Sequence, residues 1–101
     1  MNEYEKIKVY LAVIVLDGFP LNITKDQIAT FLNDNFEHVD ELFVKLTTNN
    51  LLFKDEQDNY KINITIDNAL NIISCYPDQY IKLIEEAIIN PNNVKKPINR
   101  E

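Results

Sequence analysis

The sequence predicts an α+β domain, and two patterns carry that prediction. Val39, Leu42, Phe43 and Leu46 fall at i, i+3, i+4 and i+7, the spacing of one buried helix face. Tyr60, Ile62, Ile64 and Ile66 alternate with Lys61, Asn63 and Thr65, the period of a half-buried strand. Between them, the apolar run Leu51-Leu52-Phe53 and a polar loop complete a hairpin. A chain of 101 residues with 46% apolar content is one domain with enough hydrophobic mass for a core.

Each element has its own local signals. Asn2 can cap a first helix, with Glu5 at the reciprocal capping-box position. That helix is expected to run to Leu16, where Asp17-Gly18 stops it and Phe19-Pro20 turns the chain. Residues 9–16 are apolar on nearly every face, so this helix needs cover all round, from its own domain or from a partner. Their β-branched content leaves a strand as the alternative. Thr24-Lys25-Asp26-Gln27 is a second capping box, opening a helix over residues 24–32 with Ile28, Phe31 and Leu32 on one face. Asn33-Asp34-Asn35 reads as a turn, and the third helix covers residues 37–48. The hairpin strands are 51–53 and 60–64. Asp67 is expected to cap a helical segment through Leu70 and Ile73. Pro77 suits the first turn of a last helix carrying Tyr80, Ile81, Ile84, Ala87 and Ile88, which Asn90-Pro91 ends. The folded domain is thus expected over residues 1–90, with 91–101 a flexible tail. The expected core is Ile28, Leu32, Val39, Leu42, Phe43, Leu46, Leu52, Ile62 and Ile64.

Composition narrows the function classes. A single glycine, Gly18, excludes a glycine-rich phosphate loop. One cysteine, Cys75, and one histidine, His38, exclude an internal disulfide and a Cys- or His-based zinc site. Cys75 reads as a buried small apolar residue and His38 as a surface or capping side chain. The acidic pairs Asp55-Glu56 and Glu85-Glu86 fit a solvated polar face rather than a catalytic dyad. No enzyme, cofactor or metal is expected. The acidic N-terminus lacks the basic start of a secretory leader, and residues 9–16 are too short to span a bilayer, so a cytoplasmic protein without membrane contact is expected.

Helix, turn, helix and hairpin in this order, over residues 3–66, resembles the winged helix-turn-helix superfamily. The resemblance implies an α+β winged helix-turn-helix with a three-helix core, a two-stranded wing and extra C-terminal helices. It also implies double-stranded DNA as partner. One feature departs from the usual pattern. The third helix opens with Glu37, His38, Asp40 and Glu41, and the net charge is -6. Carboxylates there would repel phosphates, which supply much of DNA affinity. The expected DNA-binding residues therefore lie on the hairpin: Lys54, Gln57, Asn59, Tyr60, Lys61 and Asn63. Lys45 and Asn49 join them from the end of the third helix. Asp55, Glu56 and Asp58 in the same loop argue the other way, for a solvated hairpin that only closes the fold. Lys6, Lys8, Lys25, Lys95, Lys96 and Arg100 could add phosphate contacts.

In length and composition the chain is similar to the TcpK-type oriT-binding accessory proteins of conjugative plasmids. That similarity implies a homodimer marking repeated DNA sites at an origin of transfer, with other DNA-processing proteins as further partners. A homodimer is also expected because a small domain has difficulty covering both residues 9–16 and the stripe Tyr80, Ile81, Ile84, Ile88. The rival reading is an acidic winged-helix protein-interaction module, or an inhibitor that mimics DNA.

Overall fold

The computed structural model describes residues 2–33 and 36–89, apart from the side chains of Phe36 and of residues 84–89. The described residues form a small α+β structure of five helices and a three-stranded antiparallel sheet. The expectations for residues 91–101, for the turn residues Asp34 and Asn35, and for the side chains of Ile84, Ala87 and Ile88 lie outside the described residues.

Helix α1 (Glu3–Leu16) begins at a complete capping box. The Asn2 side chain accepts the Glu5 N–H at 2.8 Å, and the Glu5 carboxylate accepts the Asn2 N–H at 3.2 Å. Gly18, at φ +74, turns the chain out of the helix in the left-handed region open to glycine. Ile7 and residues 9–14 are all buried, mainly against α4 and secondarily α5. The capped start and burial on every face override the β-branched content, so the strand alternative falls. This cover comes from within the chain, so α1 itself requires no second copy.

Strand β1 (Asn22–Ile23) is a correction to the two-stranded hairpin expected from sequence. It pairs with β3 (Tyr60–Ile62), which also pairs with β2 (Leu52–Lys54), giving the order β1-β3-β2. Two residues are too few to display an alternation. Ile23 nonetheless buries its side chain, and the Leu21 carbonyl accepts the Ile62 N–H at 2.8 Å. The registers Asn22↔Lys61 and Phe53↔Lys61 set those three residues in one row across the sheet. The second strand also ends earlier than expected, at Ile62, although Ile64 is still buried.

Helices α2 (Lys25–Leu32) and α3 (Phe36–Thr48) pack on each other, and the Thr24–Gln27 capping box forms as expected. Asn33 closes α2 in the left-handed conformation that Asn tolerates. Ile28, Val39, Phe43, Leu46, Leu52, Ile62 and Ile64 join α1 in one core cluster. Leu42 is also buried, whereas Leu32 is only half-buried.

Helix α4 (Ile66–Cys75) is capped by Thr65, whose hydroxyl accepts the Asn68 N–H at 3.1 Å, rather than by Asp67. Ile66 therefore leaves the strand alternation and starts a helix, 61% exposed, and at the other end of α4 Cys75 is exposed rather than buried as expected. Helix α5 (Pro77–Ile89) starts at the proline as expected. Its expected apolar stripe divides: Tyr80 packs toward the core beside Leu83, a buried residue that the stripe did not include, while Ile81 faces out at 53% exposure. Among the described residues no helix is long and apolar enough to cross a membrane.

Candidate nucleic-acid interface

The β2–β3 hairpin owes its shape to Asp55. Its Oδ1 accepts the Gln57 N–H at 2.8 Å and the Asn59 N–H at 2.9 Å. The Asp55 N–H donates to the Asn59 carbonyl at 2.9 Å, and the Asp58 N–H donates to the Asp55 carbonyl at 3.1 Å. Asp58 takes φ 64, which its short polar side chain tolerates. These bonds hold the Asp55 carboxyl below its ordinary value, the Asn59 N–H contributing most, with the Gln57 N–H and Lys61 charge adding to it. One of the three loop carboxylates is therefore committed to the turn itself. Glu56 and Asp58 are exposed, as are the side chains of Gln57 and Asn59.

The remaining expected site residues divide into two groups. Lys54 and Lys61 are on the strands, with the Lys54 ammonium 5.4 Å from the Tyr60 ring centre. Lys61 stands between Asn22 and Phe53 in the row across the sheet, and Phe53 is 43% exposed. Tyr60 turns its ring inward, edge-on to Phe43 at 4.6 Å. Asn63 donates from Nδ2 to the Asn50 carbonyl at 3.0 Å and ties the hairpin base to the end of α3. Both of these side chains have structural work within the chain. Lys45 and Asn49 lie away from the hairpin tip, gathered around Tyr4 of α1.

The acidic start of α3 is less uniform than its sequence. Lys25 pairs with Asp40 at 2.7 Å, and that partner raises the ammonium's pKa. His38 pairs with Glu3 of α1. The row left facing solvent is Glu37, Glu41, Val44 and Thr48, opposite the buried Val39, Leu42, Phe43 and Leu46. Val44 is 67% exposed in the middle of that row.

An open depression separates the start of α2 from the hairpin, lined by Thr24, Lys25, Asp26, Lys54, Asn59 and Tyr60. Sequence reasoning missed β1 and its Asn22, the exposed ring of Phe53, and Tyr4. Only Tyr4 had a readable signal, because it shares a helix face with Lys8 at i, i+4. Among the described residues no group of three or more His, Cys, Asp or Glu is placed to hold a metal ion. Comparisons with protein-family models, with curated proteins and with solved structures found no match.

Proposed function

We propose that the chain is a winged helix-turn-helix protein that binds double-stranded DNA sequence-specifically through its β2–β3 hairpin, as a homodimer, at a plasmid or phage locus. The element order α1, β1, α2, α3, β2, β3 and the added strand β1 support the winged-helix reading. The observation that carries the functional reading is the closed Asp55 turn. It fixes the backbone of the loop while Gln57 and Asn59 present exposed amides beside Lys54 and Lys61. Amide side chains can read adenine edges with two hydrogen bonds, and a two-stranded ribbon fits the major groove. Fixing the loop before binding lowers the ordering cost on contact.

Selection of bound sequences from a random duplex pool at moderate salt tests this reading, and enrichment of a short motif is the expected result. Lys61→Ala and Asn59→Ala are each expected to weaken binding to that motif by about 1–3 kcal/mol. Asp40→Ala frees Lys25 from its ion pair and is expected to leave affinity unchanged or slightly tighter. Silent hairpin variants together with a disabling Glu41→Ala would reverse the assignment. They would mean ordinary docking through α3, whereas no duplex binding at all would favour the second reading, in which the outward row Glu37, Glu41, Val44, Thr48 binds a protein. Exposed Val44, an apolar side chain set among carboxylates, is the specific observation behind it.

A further inference from the structure

We propose that Tyr4, Lys8, Lys45 and Asn49 form an oxyanion site that takes a backbone phosphate of nucleic acid. The site lies beside the hairpin base, on the α1 flank of α3. The Lys45 ammonium is 4.5 Å and the Lys8 ammonium 5.6 Å from the centre of one ring, that of Tyr4. The two cations are thus within about 10 Å of each other. Their mutual repulsion is only partly offset by the ring's negative faces. The chain has 16 Asp and Glu against 10 Lys and Arg. Even so, among the described residues no carboxylate lies within ion-pair distance of either ammonium.

The neutral groups of the cluster add donors. Asn49 Nδ2 donates to the Tyr4 hydroxyl oxygen at 2.7 Å. That bond occupies the oxygen as acceptor and leaves the phenolic O–H, and the second amide N–H of Asn49, to donate outward. Glu5 attracts Lys8 through space without pairing with it and is itself bonded to Asn2 and Tyr76. The two ammonium groups, one hydroxyl and one amide therefore remain the complement of an oxyanion. The source of the phosphate follows from position and rests on the DNA-binding reading above. Asn49 precedes Asn50, whose carbonyl holds Asn63 at the hairpin base, so a strand gripped by the hairpin passes close to the cluster. A phosphate held here fixes the register of the duplex without reading its sequence.

Duplex binding by the full chain, measured from about 50 to 200 mM salt, tests the proposal. Lys8→Gln combined with Lys45→Gln is expected to make the slope of log affinity against log salt shallower by about one for each phosphate released. The ratio of target to scrambled duplex should stay unchanged. Lys45→Gln alone and Tyr4→Phe, both gentle to the fold, are expected to act in the same direction. An unchanged slope in a protein that still binds its target overturns the site and leaves the DNA reading intact. If the wild-type chain binds no duplex, the DNA reading fails. Inorganic phosphate titrated at constant ionic strength then decides the site, read from the Asn49 side-chain amide by NMR. A saturable shift lost in Tyr4→Phe keeps the oxyanion site with free phosphate as its ligand, and no shift overturns it.

Discussion

Asp55 and Glu5 each use one carboxylate to hold two groups. Asp55 closes the hairpin loop, so its folded-state pKa lies below the unfolded value. The stability it supplies is complete above the unfolded carboxylate value and is lost as pH falls through the folded one. Asp55→Ala is therefore expected to speed amide exchange at Gln57 and Asn59 at neutral pH, with wild type and variant converging in acid. Equal protection at neutral pH would remove Asp55 as organiser of the loop. Glu5 closes the cap of α1 and also accepts the Tyr76 hydroxyl at 3.0 Å. Both bonds lower its pKa, the Asn2 amide first, and the same contact raises that of Tyr76. The capping role of Glu5 was legible in the sequence, because it depends on a three-residue spacing. The Tyr76 contact was not, because 71 residues separate the partners. The same difference explains the site. Gln57, Asn59 and Lys61 could be placed on the hairpin from local pattern, whereas the inward turn of Tyr60 onto Phe43 is tertiary.

Among the elements, α3 is the clearest product of its sequence. Its buried row Val39, Leu42, Phe43 and Leu46 matches the apolar period residue for residue. Leu46 is fully buried, so Leu46→Ala is expected to cost about 2–5 kcal/mol in chemical denaturation. Thr24→Ala, which removes the hydroxyl that caps α2 together with one methyl of an exposed side chain, is expected to cost roughly 1 kcal/mol. A Leu46→Ala cost no larger than that of Thr24→Ala would contradict this packing. Two elements escaped local reading. Strand β1 has no period of its own and exists because β3 offers a free edge. The start of α4 carries two possible caps, Thr65 and Asp67, and the extended backbone at Thr65 selects the first.

For the whole molecule, the question of self-association moves from α1 to the C-terminal helices. The structure covers α1 with α4 and α5, yet leaves Ile66, Leu70 and Ile81 exposed on those same two helices. Apolar side chains outside a completed core are the surface that a two-fold mate would cover. Sedimentation of the wild type at concentrations on the order of tens of micromolar is expected to give a dimer. Leu70→Asp combined with Ile81→Asp is expected to give a monomer with its helical content kept. A wild-type monomer under these conditions would exclude the dimer and leave the hairpin to act as a single reading head.

The cover over α1 also orders events in time. Its buried residues are made first, and α4, which shields them, begins at Ile66. At typical synthesis rates the ribosome needs ~2–10 s to add the 49 residues that separate the two helices. Through that interval the most apolar segment of the chain exists without the helix that covers most of it. Completion of this core therefore waits for a contact distant in sequence, the kind whose loop-closure entropy must be met before the contact rewards it.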